Sequence, residues 1–294
     1  MTVRVMLGLD CDRPRSAFRA AGGYQGELDR VQSYLGELVD HWADAAIGWT
    51  MFLCGQFVES LAESLAKSEV QARLGLKHPE CEVACHSYEH LPIAPVPGRD
   101  ELVAVSAPSL ADDLNRNEGL LRWLLDDPNA RFGFRAPYGA DVTDIAPEVL
   151  SVVSATRLYS STWLRTHADG VCPSLTMHRQ PFKYKTEDLW EIPSHGWHDT
   201  VFAGMSPTSQ GPSGISAHRY YGGLVSDACK LSRTAGDRFI YLGLVLHPIA
   251  MARYDPSGSL LDAIYEGAGA DCSFVSYLEA ATELGRRSSN VGDR

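Results

Sequence analysis

Apolar and polar positions along the chain fall into two alternating textures. Short runs dense in Val, Ile, Leu and Phe lie at 3–9, 48–53, 81–85, 131–134, 157–160, 190–192, 239–246 and 272–275, and they read as mostly buried strands. Between several of them apolar residues recur at helical spacing, which predicts helices over 27–43, 56–67, 109–125, 143–154, 260–267 and 276–286. In the last of these Leu278, Ala281 and Leu284 form an ordinary packing face. Strand alternating with helix predicts an α/β protein with a parallel sheet, and about seven such strands are enough to close or nearly close a barrel. In that architecture chemistry collects at the C-terminal ends of the strands. Three irregular segments, 91–108, 166–188 and 199–223, exceed ordinary connection lengths and read as rim loops around a substrate pocket.

Composition then narrows the class. The 294 residues are 45% hydrophobic and 21% charged, an ordinary globular balance that allows one large domain over 1–294 or two smaller ones. With 26 basic and 37 acidic residues the net charge is −11, so nothing suggests a grip on a phosphate backbone and no nucleic-acid partner is expected. No apolar stretch reaches the roughly 20 residues of a membrane span. The first apolar run meets Asp10 and Asp12 at once, too soon for a signal-peptide core, so a cytoplasmic protein is expected. Seven scattered cysteines suit reduced thiols better than a disulfide framework. Cys81 and Cys85, the one pair close in sequence, lack the further paired ligands of a zinc site.

Four motifs sit at predicted strand ends. Asp10-Cys11-Asp12 closes the first strand, and alternation puts both carboxylates on one side, where they repel unless a cation or a shared proton relieves them. Alone, this pair fits a metal-dependent hydrolase, a phosphatase with an aspartyl nucleophile or a sugar-nucleotide site. His86-Ser87-Tyr88-Glu89-His90 follows the third run, and two imidazoles four apart on a helical turn can converge on one metal with a carboxylate completing the set. Arg135-Ala136-Pro137-Tyr138-Gly139 ends a later strand, and Leu244-Val245-Leu246-His247-Pro248 another. Each motif has a bland reading as turn residues or satisfied polar groups; their occurrence in this order at four strand ends makes coincidence improbable.

In this order and at about these intervals, D-x-D, H-S-x-x-H, R-x-P-Y and L-x-L-H-P resemble the motifs of the polysaccharide deacetylase family, also called the NodB-homology or carbohydrate esterase family 4 domain. The segments 159–163 and 191–195 are similar to those of its cytoplasmic bacterial branch. The resemblance spans most of the chain and implies a distorted (β/α) barrel of about seven strands in a single domain. It further implies hydrolysis of an N-acetyl group or another non-peptide amide, with Asp12, His86 and His90 binding one divalent metal. Asp10 would be the general base, Arg135 its charge partner, His247 the general acid, and the backbone N–H of Tyr138 an oxyanion donor. Zinc is the first expectation for the metal, and iron, cobalt or nickel suit the same His₂Asp set.

Departures from the family pattern sharpen what to look for. The segment 159–163 supplies the pocket tryptophan of the family, Trp163, but not the aspartate that orients the acid histidine, for which Asp255 is the substitute near His247. Trp163, Trp190 and Trp197 are the candidate pocket aromatics. The expected partner is a small N-acylated molecule, with no membrane surface involved and a homo-oligomer left open. Alternatives keep the site but change the substrate to a cyclic amide or imide, a formyl or a ureido group. More distant ones are a phosphatase of the haloacid dehalogenase type, with Asp10 as nucleophile and Asp112-Asp113 as a later acidic pair, and a catalytically silent binding barrel.

Overall fold

The first strand, β1 (Val3–Cys11), is buried on both faces and lies between two later strands of the sheet. In the computed structural model, residues 3–12, 23–45, 47–96, 99–162, 174–205, 214–236, 238–269 and 271–291 are described. After α1 (Gly23–Asp44) the chain forms β2 (Trp49–Leu53), α2 (Gly55–Ala62), α3 (Lys67–Arg73), β3 (Cys81–Cys85) and α4 (Ala107–Leu125). It continues through β4 (Phe134–Arg135), α5 (Pro147–Thr156), β5 (Ser160–Ser161), β6 (Phe182–Lys183) and β7 (Trp190–Glu191). The last elements are α6 (Ala217–Thr234), β8 (Ile240–Leu246), α7 (Pro248–Tyr254), α8 (Leu260–Ala268), β9 (Cys272–Phe274) and α9 (Tyr277–Val291).

The strands order as β6-β7-β5-β4-β3-β2-β1-β8, all parallel neighbours except the β6–β7 pair, with β9 beside the start of β1. Beyond β7, Ser194 makes a parallel bridge to Gly243 of β8, so the two ends of the sheet curl toward each other as a distorted barrel. Side-chain alternation assigns the two faces. Val3, Val5, Leu7, Leu9 and Cys11 of β1 and Ile240, Leu242, Leu244 and Leu246 of β8 pack in the larger core beneath the helices. Met6, Phe52, Ala84, Ile192, Tyr241 and Val245 have the opposite phase and form a second core on the concave side. Continued upward, that inward phase reaches Asp10 and Asp12 on β1, His86 after β3, Arg135 on β4 and His247 after β8. The barrel's own period of two therefore points these five side chains at one place.

Gly243 is required where the sheet ends meet. A Cβ there would lie 2.6 Å from the Pro193 carbonyl oxygen and 2.6 Å from the Tyr277 hydroxyl. Since the first obstacle is backbone, Gly243→Ala is expected to cost about 1–3 kcal/mol, visible as a lowered Tm in thermal denaturation. An unchanged Tm would mean that the two sheet ends are free to separate.

Several expectations change. The helix expected over 56–67 is two, α2 and α3. The segment 199–223 is not one loop, because it ends inside α6, which the sequence pattern did not predict, and 206–213 lie outside the described residues. The segment 166–188 contains β6 and a 3₁₀ turn at Met177–Arg179, with 166–173 outside the described residues. The segment 91–108 runs into α4. Cys81 and Cys85 are packed in the larger core; the sulfurs that are close in space are those of Cys229 and Cys272, 3.1 Å apart as thiols.

Candidate active site

Asp12 follows the last residue of β1, and its Oδ1 lies 3.2 Å from His86 Nε2 and 3.1 Å from His90 Nε2. The chosen ligand atoms of the three residues all fall within 4.8 Å of one another. The two histidines are not on a helical turn, as their spacing suggested. They flank an irregular loop in which Ser87 (φ 64°) and His90 (φ 60°) both take the left-handed conformation that non-glycine residues avoid. His86 Nδ1 bonds the Arg135 carbonyl oxygen at 2.9 Å. That oxygen can only accept, so Nδ1 carries a proton and Nε2 is the ring nitrogen turned toward Asp12.

This arrangement tests whether the residues fit a cation. Two imidazole nitrogens and a carboxylate oxygen converge, and among the described residues neither the buried Asp12 Oδ1 nor the buried His86 Nε2 makes a hydrogen bond. Buried lone pairs aimed at each other are costly unless a proton or a metal lies between them. Burial alone would raise the Asp12 pKa, but His90 and His86 hold it well below the usual carboxylate range. The donor set suits zinc, iron, cobalt or nickel.

Asp10 stands beside this cluster. Its Oδ2 is 3.3 Å from Arg135 Nε, 3.8 Å from His86 Nε2 and 3.8 Å from His247 Nε2, while its buried Oδ1 makes no hydrogen bond among the described residues. Arg135 is itself buried and is steadied by the hydroxyls of Ser161 at 3.2 Å and Ser194 at 2.9 Å. The guanidinium thus holds one carboxylate oxygen and leaves the other able to accept a proton.

His247 heads α7, where its carbonyl accepts from Ala250 and Met251. Its partner is Asp199, which sequence reasoning missed: His247 Nδ1 lies 2.6 Å from Asp199 Oδ1, and the His247 backbone N–H donates to Oδ2 at 2.7 Å. Asp255, the expected substitute, points elsewhere. It accepts from the backbone N–H groups of Ser259 and Leu260 at the start of α8 and pairs with His218 at 3.1 Å. Asp199 was hidden in an irregular segment with no periodicity; the one signal was its place two residues after Trp197. Burial pushes the His247 imidazole toward neutrality, but Asp199, with Asp10 and Asp12 behind it, reverses this and lifts the pKa to about 9.

Around this centre Tyr138 also has a left-handed backbone (φ 64°), and its ring meets His90 edge to face at 4.5 Å. The His198 ring lies 5.1 Å from that of His247. The Trp197 backbone is held by the Tyr220 and Tyr221 hydroxyls, two residues before Asp199. Trp190, expected to line the pocket, instead packs against the second core with Leu158, Phe239 and Val275, at the start of its strand rather than at the catalytic end. Trp163 lies outside the described residues. Among the described residues no helix is long and apolar enough to cross a membrane.

Comparison with known proteins agrees with this picture. The model of a family described as polysaccharide deacetylase matches residues 27–158, a stretch that carries His86, His90 and Arg135. No curated protein sequence matches the chain. Among solved structures, a protein described as a polysaccharide deacetylase from Mycobacterium smegmatis is similar with a TM-score of 0.68 at 16% identity, over 98% of this chain and 91% of that one. A protein of the same description from Pseudomonas aeruginosa PAO1 gives 0.62 at 12% identity, over 97% and 91% of the two chains. The Puue allantoinase gives 0.61 at 12% identity, over 96% and 89%. At these identities the structural likeness is one of fold.

Proposed function

We propose that the chain, whose residues 27–158 match the model of the polysaccharide deacetylase family, is a metal-dependent N-deacetylase, a hydrolase of a carbon–nitrogen bond other than a peptide bond. Its substrate class is N-acetylated amino sugars and small molecules carrying the same group. The observation that carries this reading is the meeting of Asp12, His86 and His90 with two further titratable groups, Asp10, whose Oδ2 lies 3.8 Å from His86 Nε2, and His247, whose Nε2 lies 3.8 Å from the same oxygen. When bound, a divalent metal supplies Lewis acidity toward an acyl oxygen and toward water.

The chain's own residues do the rest. Asp10, paired with Arg135 through Oδ2, takes a proton from the attacking water through its other oxygen, Oδ1. Tyr138, which the backbone turns just beyond Pro137, presents its N–H toward the developing oxyanion. His247, held protonated by Asp199, gives its proton from Nε2 to the departing amine nitrogen, because an amide anion is too basic to leave unprotonated. Asp199 touches no reacting atom; it fixes the ring through Nδ1 and keeps it charged. Trp197, adjacent to His198 and Asp199, is the tryptophan among the described residues best placed to border the acyl group.

Acetate release from N-acetylglucosamine, its short oligomers and acetylated aminoglycoside-type amines, measured with zinc-loaded protein, tests the reading. Release of formate or ammonia, or ring opening of a cyclic amide with no small product, would move the substrate to the formyl, ureido or cyclic class on the same site. Inertness on all of these with tight ligand binding would favour a binding barrel. His86→Ala and His90→Ala are each expected to lose the metal by elemental analysis after dialysis; full occupancy in both would sink the ligand assignment.

A further inference from the structure

Helix α4 runs behind the loop that carries both histidines. Asp113 and Asn117 lie one turn apart on its buried face. Asp113 Oδ1 accepts from the Ser87 hydroxyl at 2.7 Å and from the Tyr88 backbone N–H at 2.8 Å, and Oδ2 accepts from the Glu89 N–H at 2.8 Å. Asn117 Nδ2 lies 3.0 Å from the Leu53 carbonyl and 3.0 Å from the Ser87 carbonyl, joining the ends of β2 and β3 to the same turn. Ser87 closes the loop by accepting from the Leu91 N–H at 3.0 Å.

Two energetic facts meet here. A loop with Ser87 and His90 at positive φ is strained, by on the order of 1 kcal/mol or more at each residue, and persists only where its surroundings impose it. A buried carboxylate is costly unless donors satisfy it, and the three hydrogen bonds of Asp113 among the described residues all come from this loop. Each therefore stabilises the other: among the described residues the carboxylate is satisfied by the strained turn, and it takes up three of that turn's donors while Asn117 holds the Ser87 carbonyl.

We propose that Asp113, assisted by Asn117, is a positioning residue of the metal centre, which sets the 86–90 turn so that His86 and His90 face Asp12 before any cation arrives. Asp113 is one of the two acids that a phosphatase reading would have placed at a metal; its carboxylate instead holds the ligand loop. The proposal rests on the assignment of Asp12, His86 and His90 as ligands.

Asp113→Asn replaces one acceptor with an amide group that faces a backbone donor, while keeping the side chain's size. Competition with a chromophoric chelator should show zinc binding weakened by about 10- to 100-fold, as for other groups that orient metal ligands. Asp112→Asn, exposed on the same helix, should bind zinc as wild type does. In metal-free protein, hydrogen exchange at the Tyr88 and Glu89 amides should speed up in Asp113→Asn and not in Asp112→Asn. A purely structural role would lower Tm and leave the zinc affinity of the folded variant intact. Should Asp113→Asn fail to fold, Ser87→Ala removes a single donor and should weaken zinc binding roughly fivefold. Wild-type zinc affinity in the folded Asp113→Asn, or in Ser87→Ala if that variant must stand in, would overturn the proposal. Wild-type protein that binds no zinc would remove the ligand assignment and the positioning role together, whereas loss of affinity in the variant alone sustains both.

Discussion

Asp10→Asn is expected to lower kcat by about 10²- to 10⁴-fold, the usual worth of a general base, while zinc stoichiometry stays at the wild-type value. The two halves of this result separate the carboxylates of the D-x-D pair. Asp12 is the one within 3.2 Å of both histidines, whereas Asp10 turns one oxygen to Arg135 and leaves the other unbonded. An Asn at position 10 keeps an acceptor for Arg135 Nε but has no basic oxygen. It also leaves the buried Arg135 charge beside neutral partners, the amide oxygen and two hydroxyls, so some loss of stability accompanies the kinetic effect. Rates should therefore be compared well below the variant's Tm. Turnover within about tenfold of wild type would remove Asp10 as the base, and loss of zinc would move it into the ligand set.

Asp199→Asn should both slow the reaction and shift its pH profile, a pairing that a merely structural residue would not produce. The protonated form of His247 is the one that can donate to the amine, so activity is present below the His247 pKa and lost as pH rises through it. Asp199 is the principal group that lifts that pKa from its ordinary range to about 9. A bound dication works in the opposite direction, so about 9 is the upper limit for the basic limb of the wild-type profile. Removing the carboxylate should move that limb down by about 1–3 pH units. At neutral pH kcat/KM should fall by about 10²- to 10⁴-fold, because the ring also loses the acceptor that fixes its tautomer. A basic limb that stays in place would show that some other group is the acid.

The histidines, the arginine and the two aspartates of the centre were legible because each ends an apolar run. A strand's alternation, once its phase is known from Leu7, Leu9 and Phe134 on the helix side, dictates that Asp10 and Arg135 point inward. Asp199 was not legible in this way, since it sits in a 3₁₀ turn between β7 and α6 where no period applies. Helix α6 escaped for a different reason. Its adjacent Gly222 and Gly223 are poor helix formers, yet Gly222 is where α6 and α8 touch: a Cβ there would lie 2.7 Å from the Ala263 carbonyl oxygen, and one on Gly267 would lie 2.4 Å from the Gly222 carbonyl oxygen. Tertiary packing overrode local propensity. Likewise Pro248 read as the end of the His247 strand, whereas it occupies the first turn of α7, where a missing N–H costs nothing. The left-handed turn at Ser87 and His90 carried no glycine to announce it, because Asp113, more than twenty residues downstream, imposes it.

The place of β1 between β2 and β8 has a consequence for how the molecule comes to exist. Its neighbour on one side, β2, follows after a single helix, but on the other side Val3 pairs with Ile240, near the opposite end of the chain. As synthesis proceeds, Asp12, His86 and His90 are all available once about a third of the chain is made. For the rest of the time one edge of a strand with apolar side chains on both faces has no partner. Such an edge is open to pairing with other chains, and contacts this distant in sequence form slowly. Early occupation of the three ligands would tie β1 to β3 across β2 through that interval, so the cation that serves chemistry in the finished barrel would also serve as a clasp on the unfinished one.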